Sequence, residues 1–108
     1  MQSYDLYGLY SDDLDSLAGI IGQVLGITFI PHDSSYRGGA YYRFGTPGQE
    51  ELILQRNYDE IDQEVVESEF GAYPFLLYVG PTNRSREIRE RLMTQMKAKA
   101  TLLRHKVF

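Results

Sequence analysis

Cysteine and tryptophan are absent from the 108 residues, so neither a disulfide framework nor a thiolate metal site is open to this chain. Long apolar runs are missing too, and no stretch approaches the roughly 20 apolar residues of a membrane-spanning helix. Met1 to Tyr10 has no positively charged start and no apolar core of the secretory-leader type. These absences set the expectation of a cytoplasmic protein with no membrane partner. Basic residues are scarce over most of the length: residues 1 to 83 hold three Arg and no Lys. With a pI near 5.1, that argues against general nucleic-acid binding. With no Pro-, Gly- or Ser-rich linker and no internal repeat, residues 1–108 read as one domain.

What is present is a sharp charge split. Residues 1 to 83 carry thirteen Asp or Glu, and residues 84 to 108 carry eight Lys or Arg against two Glu. A net charge of −4 therefore hides about −10 followed by +6, a two-pole field that favours partner capture and fast association. Apolar residues make up 43% of the chain, nine tyrosines and five phenylalanines among them, enough for one core.

Tyr4 to Tyr10 alternates as a strand and runs into Ser11, a good N-cap with Asp12, Asp13 and Asp15 behind it. Leu14, Leu17, Ala18, Ile21, Val24 and Leu25 then recur at helical spacing, and Gly26 stands where a C′ glycine ends a helix. Ile27 to Pro31 reads as a short buried strand and His32 to Gly39 as a loop. Ala40–Phe44 and Glu51–Arg56 read as a hairpin, with Pro47-Gly48 suited to a type II turn. Asn57 to Phe70 contains six acids and no base and fits either a short helix or an acidic loop. Tyr73 to Val79 is a dense strand, Gly80 to Asn83 a turn ending in a capping residue, and Ile88, Leu92, Met96, Ala100 and Leu103 a helical stripe. The expected fold is α+β: a mostly antiparallel sheet of four to five strands with two helices on one face, in the order β-α-β-β-β-β-α.

No motif compels a reaction. His32, Asp33, Ser34 and Ser35 hold the residue types of a hydrolytic triad, but sequence neighbours cannot form one, because base and nucleophile must meet from separate parts of a fold. Gly38-Gly39 lacks the Gly-Lys-Ser/Thr of a phosphate loop. The run Asp59-Glu60-Ile61-Asp62-Gln63-Glu64 lacks the central glycine of an EF-hand. No cofactor or metal is expected. A binding role suits the residues better. Asp59, Glu60, Asp62, Glu64 and Glu67 form a dense acidic patch that steers a basic partner. Tyr36, Arg37, Tyr41 and Tyr42 supply the amphipathic side chains that anchor interfaces. Along a strand, one of Tyr41 and Tyr42 must face the core and the other outward. The basic C-terminal stretch has no aromatic residue before Phe108, which argues against stacking on bases.

The opening Tyr4-Asp-Leu-Tyr-Gly8, the segment His32-Asp-Ser-Ser-Tyr-Arg-Gly-Gly-Ala-Tyr-Tyr-Arg43 and the strand Leu76-Leu-Tyr-Val79 together resemble small bacterial immunity proteins of contact-dependent growth inhibition and polymorphic toxin systems. That resemblance implies a non-enzymatic cytoplasmic protein that binds the C-terminal domain of one cognate toxin, often a nuclease, and occludes its active site or substrate surface. Two other readings stay open. One is a small homo-oligomeric regulatory or interaction module, a homodimer for example, in which the basic C-terminal helix of one copy meets the acidic segment of another. The other is a small enzyme using His32, which requires His32 to sit in a cavity beside a carboxylate.

Overall fold

Asp13, not Ser11, opens the first helix: in the computed structural model, which describes residues 2–46 and 48–108, its carboxylate accepts the Ser16 N–H at 2.7 Å and the Ser16 hydroxyl at 3.0 Å. Those two bonds hold the Asp13 carboxyl below its ordinary range. The helix, α1 (Leu14–Leu25), buries the six apolar residues its periodicity predicts and ends at Gly26 in the left-handed conformation, φ 68°. Each of these except Ala18 contributes about 1.5–3 kcal/mol by leaving water.

Among the described residues six strands form one antiparallel sheet: β1 (Ser3–Leu9), β2 (Ile30–Ser34), β3 (Gly39–Gly45), β4 (Glu51–Arg56), β5 (Phe75–Thr82) and β6 (Ala100–Val107). Their spatial order is β2-β3-β4-β5-β1-β6, so β1 lies between strands from the far end of the chain. The second helix, α2 (Ser85–Met96), packs beside α1 on the same face. The core lies between that face and the helices, with Tyr7, Leu9, Leu52, Leu54, Leu77 and Val79 from the sheet meeting Leu17, Ile21, Ile88 and Leu92.

The fold is thus α+β with two helices on an antiparallel sheet, as expected, but with six strands and the order β-α-β-β-β-β-α-β. The extra strand comes from the basic stretch. Ala100 and Leu103 prolong the apolar spacing of Ile88, Leu92 and Met96, yet the helix stops at Met96 because Lys97 takes positive φ (48°) and reverses the chain. Residues 100–107 then run antiparallel to β1, with a register shift opposite Leu6/Tyr7 that puts both Leu103 and Arg104 on the face away from the helices.

Three boundaries also move. His32 to Ser34 is strand rather than loop, and Gly80 to Thr82 continues β5 rather than turning. Arg84, not Asn83, occupies the N-cap of α2, and its N–H is taken by the Thr82 hydroxyl. The hairpin between β3 and β4 forms as expected, while the proposed Pro47 turn lies outside the described residues. Among the described residues, no helix is long and apolar enough to cross a membrane.

Glu50, just before β4, ties that hairpin to the start of α2. Both its oxygens accept from Arg84, at 2.7 and 3.0 Å, and one also accepts the Thr82 hydroxyl at 2.7 Å. Arg84 holds the Glu50 carboxyl below the usual range despite partial burial, with Thr82 helping. A carboxyl lowered by folding stabilises the fold at neutral pH, and that contribution vanishes as protonation proceeds in both states. Glu50→Gln should therefore be less stable than the parent by about 1 kcal/mol at neutral pH, a figure reduced for the solvent that reaches the pair. The gap should close as the pH falls from the ordinary glutamate range, about 4.3, toward the lowered value. Urea titrations across that range would check this; a gap constant with pH would show that Glu50 acts only by packing.

Candidate functional site

The face of the sheet turned away from the helices is lined, strand by strand, by Ile30, Arg43, Ile53, Tyr78, Leu6 and Arg104, which stand opposite one another in the ladder. Left bare, Leu6, Ile53 and Leu76 would meet water, yet all three are buried. Residues 57–74, the acidic segment, help to cover this face. Apart from one 3-10 turn, Ser68–Phe70, it is neither a helix nor an open loop but a pinned flap.

Asn57 is the pin. Its backbone N–H bonds the carbonyl of Pro74 and closes the flap at its base. Its buried side chain donates to the carbonyls of Phe70 (2.9 Å) and Tyr73 (3.0 Å) and accepts the N–H of Glu67 (2.8 Å). Farther out, the Asp59 carboxylate accepts the N–H groups of Ile61 and Asp62, and the backbones of Asp59 and Glu64 pair. Gly8 makes room for the descending chain: a Cβ there would stand 2.5 Å from the Tyr73 ring. Glu67 faces inward, accepting the Tyr78 hydroxyl at 2.5 Å and pairing with Arg104 at 3.2 Å, while Phe70 lies under the same guanidinium at 5.8 Å. Burial, then the Glu67 carboxylate, pushes the Tyr78 phenol far above its ordinary range, so it stays protonated and donating.

The predicted acids therefore divide. Glu67 is engaged inside the protein, and Asp59 largely shapes its own turn. Glu60 makes a loose, exposed pair with Arg56 at 3.7 Å. Asp62 and Glu64 are exposed, and among the described residues neither has a basic side chain within ion-pair distance. Beside them Tyr58, Ile61, Val65 and Val66 are also exposed, Ile61 at 61%.

The predicted aromatic cluster divides as well. Ser34 caps a single turn of 3-10 helix, Ser35–Arg37, which ends at Gly38 with φ 80°. A Cβ at Gly38 would press on the Asp59 backbone at 2.9 Å, and the Gly38 carbonyl accepts the Glu60 N–H, so this turn is tied to the flap. Tyr36 projects from it, 90% exposed. Arg37 donates to the side-chain Oε1 of Gln55 at 3.5 Å and approaches the Tyr41 ring at 5.9 Å. Tyr36, Arg37 and the acidic flap thus share one surface, with Tyr41 beneath. Tyr42 does not join them: it faces the helices, packs on Phe29, and donates its hydroxyl to Asp15 at 2.6 Å.

His32 is exposed on β2 and stacks on Tyr41 with ring centres 5.3 Å apart. Among the described residues no carboxylate lies within ion-pair reach of it, so the setting a His32-based catalyst requires is missing. A different set of polar groups meets elsewhere. Asp5, on the helix side of β1, is buried, accepts the Ser85 hydroxyl at 2.6 Å, and pairs with Nδ1 of His105. The carboxylate stands between the other two, so this is not a serine nucleophile activated by histidine. Nothing in the sequence flags it, since the three residues are up to 100 positions apart. Among the described residues no group of three or more His, Cys, Asp or Glu is arranged to hold a metal ion. Compared with known proteins, the chain matches no family model and no curated sequence.

Proposed function

We propose that this chain is an immunity protein that neutralises the C-terminal domain of a bacterial toxin, a basic nuclease domain being the class it suits best, by docking its acidic flap over the toxin's active site. The observation that carries the reading is the composition of the outer flap: exposed Tyr58, Ile61, Val65 and Val66 interleaved with exposed Glu60, Asp62 and Glu64. Apolar side chains at a rim of one charge provide burial and steering in a single surface. Nuclease domains must attract phosphate and so present basic faces. Tyr36 and Arg37, tied to the flap through Gly38, extend that surface as anchors.

The rival reading, a homodimer joining the basic stretch to the acidic segment, has less to draw on. Arg84, Arg86 and Arg91 of that stretch pair with Glu50, Glu87 and Glu90, within or beside their own helix.

Co-expression with the C-terminal domain of a toxin whose gene adjoins that of this chain tests the function: growth should be rescued and a stable complex recovered. Asp62→Lys with Glu64→Lys should lower the association rate by about tenfold or more at low ionic strength and flatten its salt dependence. Rescue by a variant whose association rate is unchanged would remove the flap from the interface, and failure of the parent chain to rescue would overturn the function.

A further inference from the structure

Below the flap, the rest of the face opposite the helices forms a cavity of about 660 Å³, within the range of small-molecule sites. Leu6 and Ile53 line it, with the rings of Tyr4, Tyr78 and Phe108; Phe108 stands edge-on to Tyr4 at 5.0 Å. Besides Asp5, whose carboxylate is turned to the helix side and committed to Ser85 and His105, four charged residues line it: Arg37, Arg104, Lys106 and Glu51. Their pairing is uneven. Glu51 is matched by Arg43 at 2.9 Å, and Arg104 by Glu67 at 3.2 Å. Among the described residues Arg37 and Lys106 have no carboxylate within ion-pair distance. A chain of net charge −4 thus keeps two unmatched cations around one apolar hollow.

We infer that this cavity is a binding site for a small organic anion with an apolar body, such as an aliphatic or aromatic carboxylate. The body lies against Leu6, Ile53 and the aromatic rings, where burial supplies most of the affinity. The anionic head meets Arg37 and Lys106, whose charge-assisted hydrogen bonds fix its orientation and exclude cationic or neutral analogues. The already matched Arg104 is a wall of the site. This site shares only Arg37 with the surface assigned to the toxin and does not rest on that reading, because its lining contains none of the exposed flap acids.

Calorimetric titration of the full chain with dodecanoate, and in parallel with dodecyltrimethylammonium, tests the assignment. Dodecanoate should bind one to one with a dissociation constant of about 10–100 μM, as its size allows. The cationic analogue should show no saturable binding. Arg37→Gln with Lys106→Gln should weaken dodecanoate binding about tenfold or more, whereas Lys97→Gln with Lys99→Gln, which removes the same charge elsewhere, should not. Circular dichroism would establish that both variants fold. Equal binding of the two surfactants, an equal effect of the two charge variants, or no binding of dodecanoate up to about 1 mM would each overturn the proposal.

Discussion

Asn57→Asp should unfold at markedly lower denaturant than the parent, and lower even than Asn57→Ala. The substitution keeps the shape of the side chain and replaces its amide N–H₂ with oxygen, which then faces the carbonyls of Phe70 and Tyr73 at about the distances of the present bonds. Alanine leaves those two carbonyls and the Glu67 N–H without their partner, at about 1–3 kcal/mol for each group that water does not reach. A total near 3 kcal/mol is expected for alanine, and more for aspartate, where acceptor confronts acceptor. The damage should be local first, with amide exchange rising across residues 58–73 before the rest of the sheet is affected. Denaturant titration with hydrogen exchange would check both statements; an aspartate variant as stable as the parent would mean that Asn57 does not pin the flap. Binding of a toxin domain should weaken in parallel, because the outer acids would no longer be held in one arrangement.

The second large effect belongs to Asp5. Replacing it with alanine leaves the Ser85 hydroxyl without its acceptor and His105 without the carboxylate that orients its ring, and it opens a gap beneath the start of α2. The expected loss is about 1–3 kcal/mol, the range for leaving a buried hydrogen-bonding group without its partner. Because His105 acts only through Asp5, the double variant Asp5→Ala, His105→Ala should cost less than the two single losses added together. Strict additivity in the double-mutant cycle would show that the two side chains are independent.

What could be read in the sequence beforehand follows from how local each signal is. The first helix was legible in every buried residue, and Gly26 in its capping role, because periodicity and a C′ glycine act within a few residues. The hairpin strands β3 and β4 were legible for the same reason. The last strand was not: Ala100 and Leu103 continue the helical stripe, and only Lys97, a residue with no preference for positive φ, turns the chain away. The acidic segment announced its charge, while its architecture depends on Asn57 meeting carbonyls 13 and 16 residues onward. An asparagine after a strand reads as an ordinary turn former, so nothing local revealed the clamp. Tyr41 and Tyr42 showed the opposite strength: alternation required them to part, and they do, with Tyr42 toward the helices.

The position of β1 has a consequence in time. Of the six described strands β1 is made first, yet it is bounded by the two made last, β5 and β6, and its carboxylate at Asp5 meets a partner 100 positions away. Until those strands are synthesised, Tyr7 and Leu9 have no complete sheet to join, whereas β2, β3 and β4 pair between near neighbours in the chain. Closure of long loops makes such pairings slow relative to local ones. Folding of this sheet should thus begin at β2, β3 and β4 and finish with β1, which waits, in need of protection, until β5 and β6 have been made.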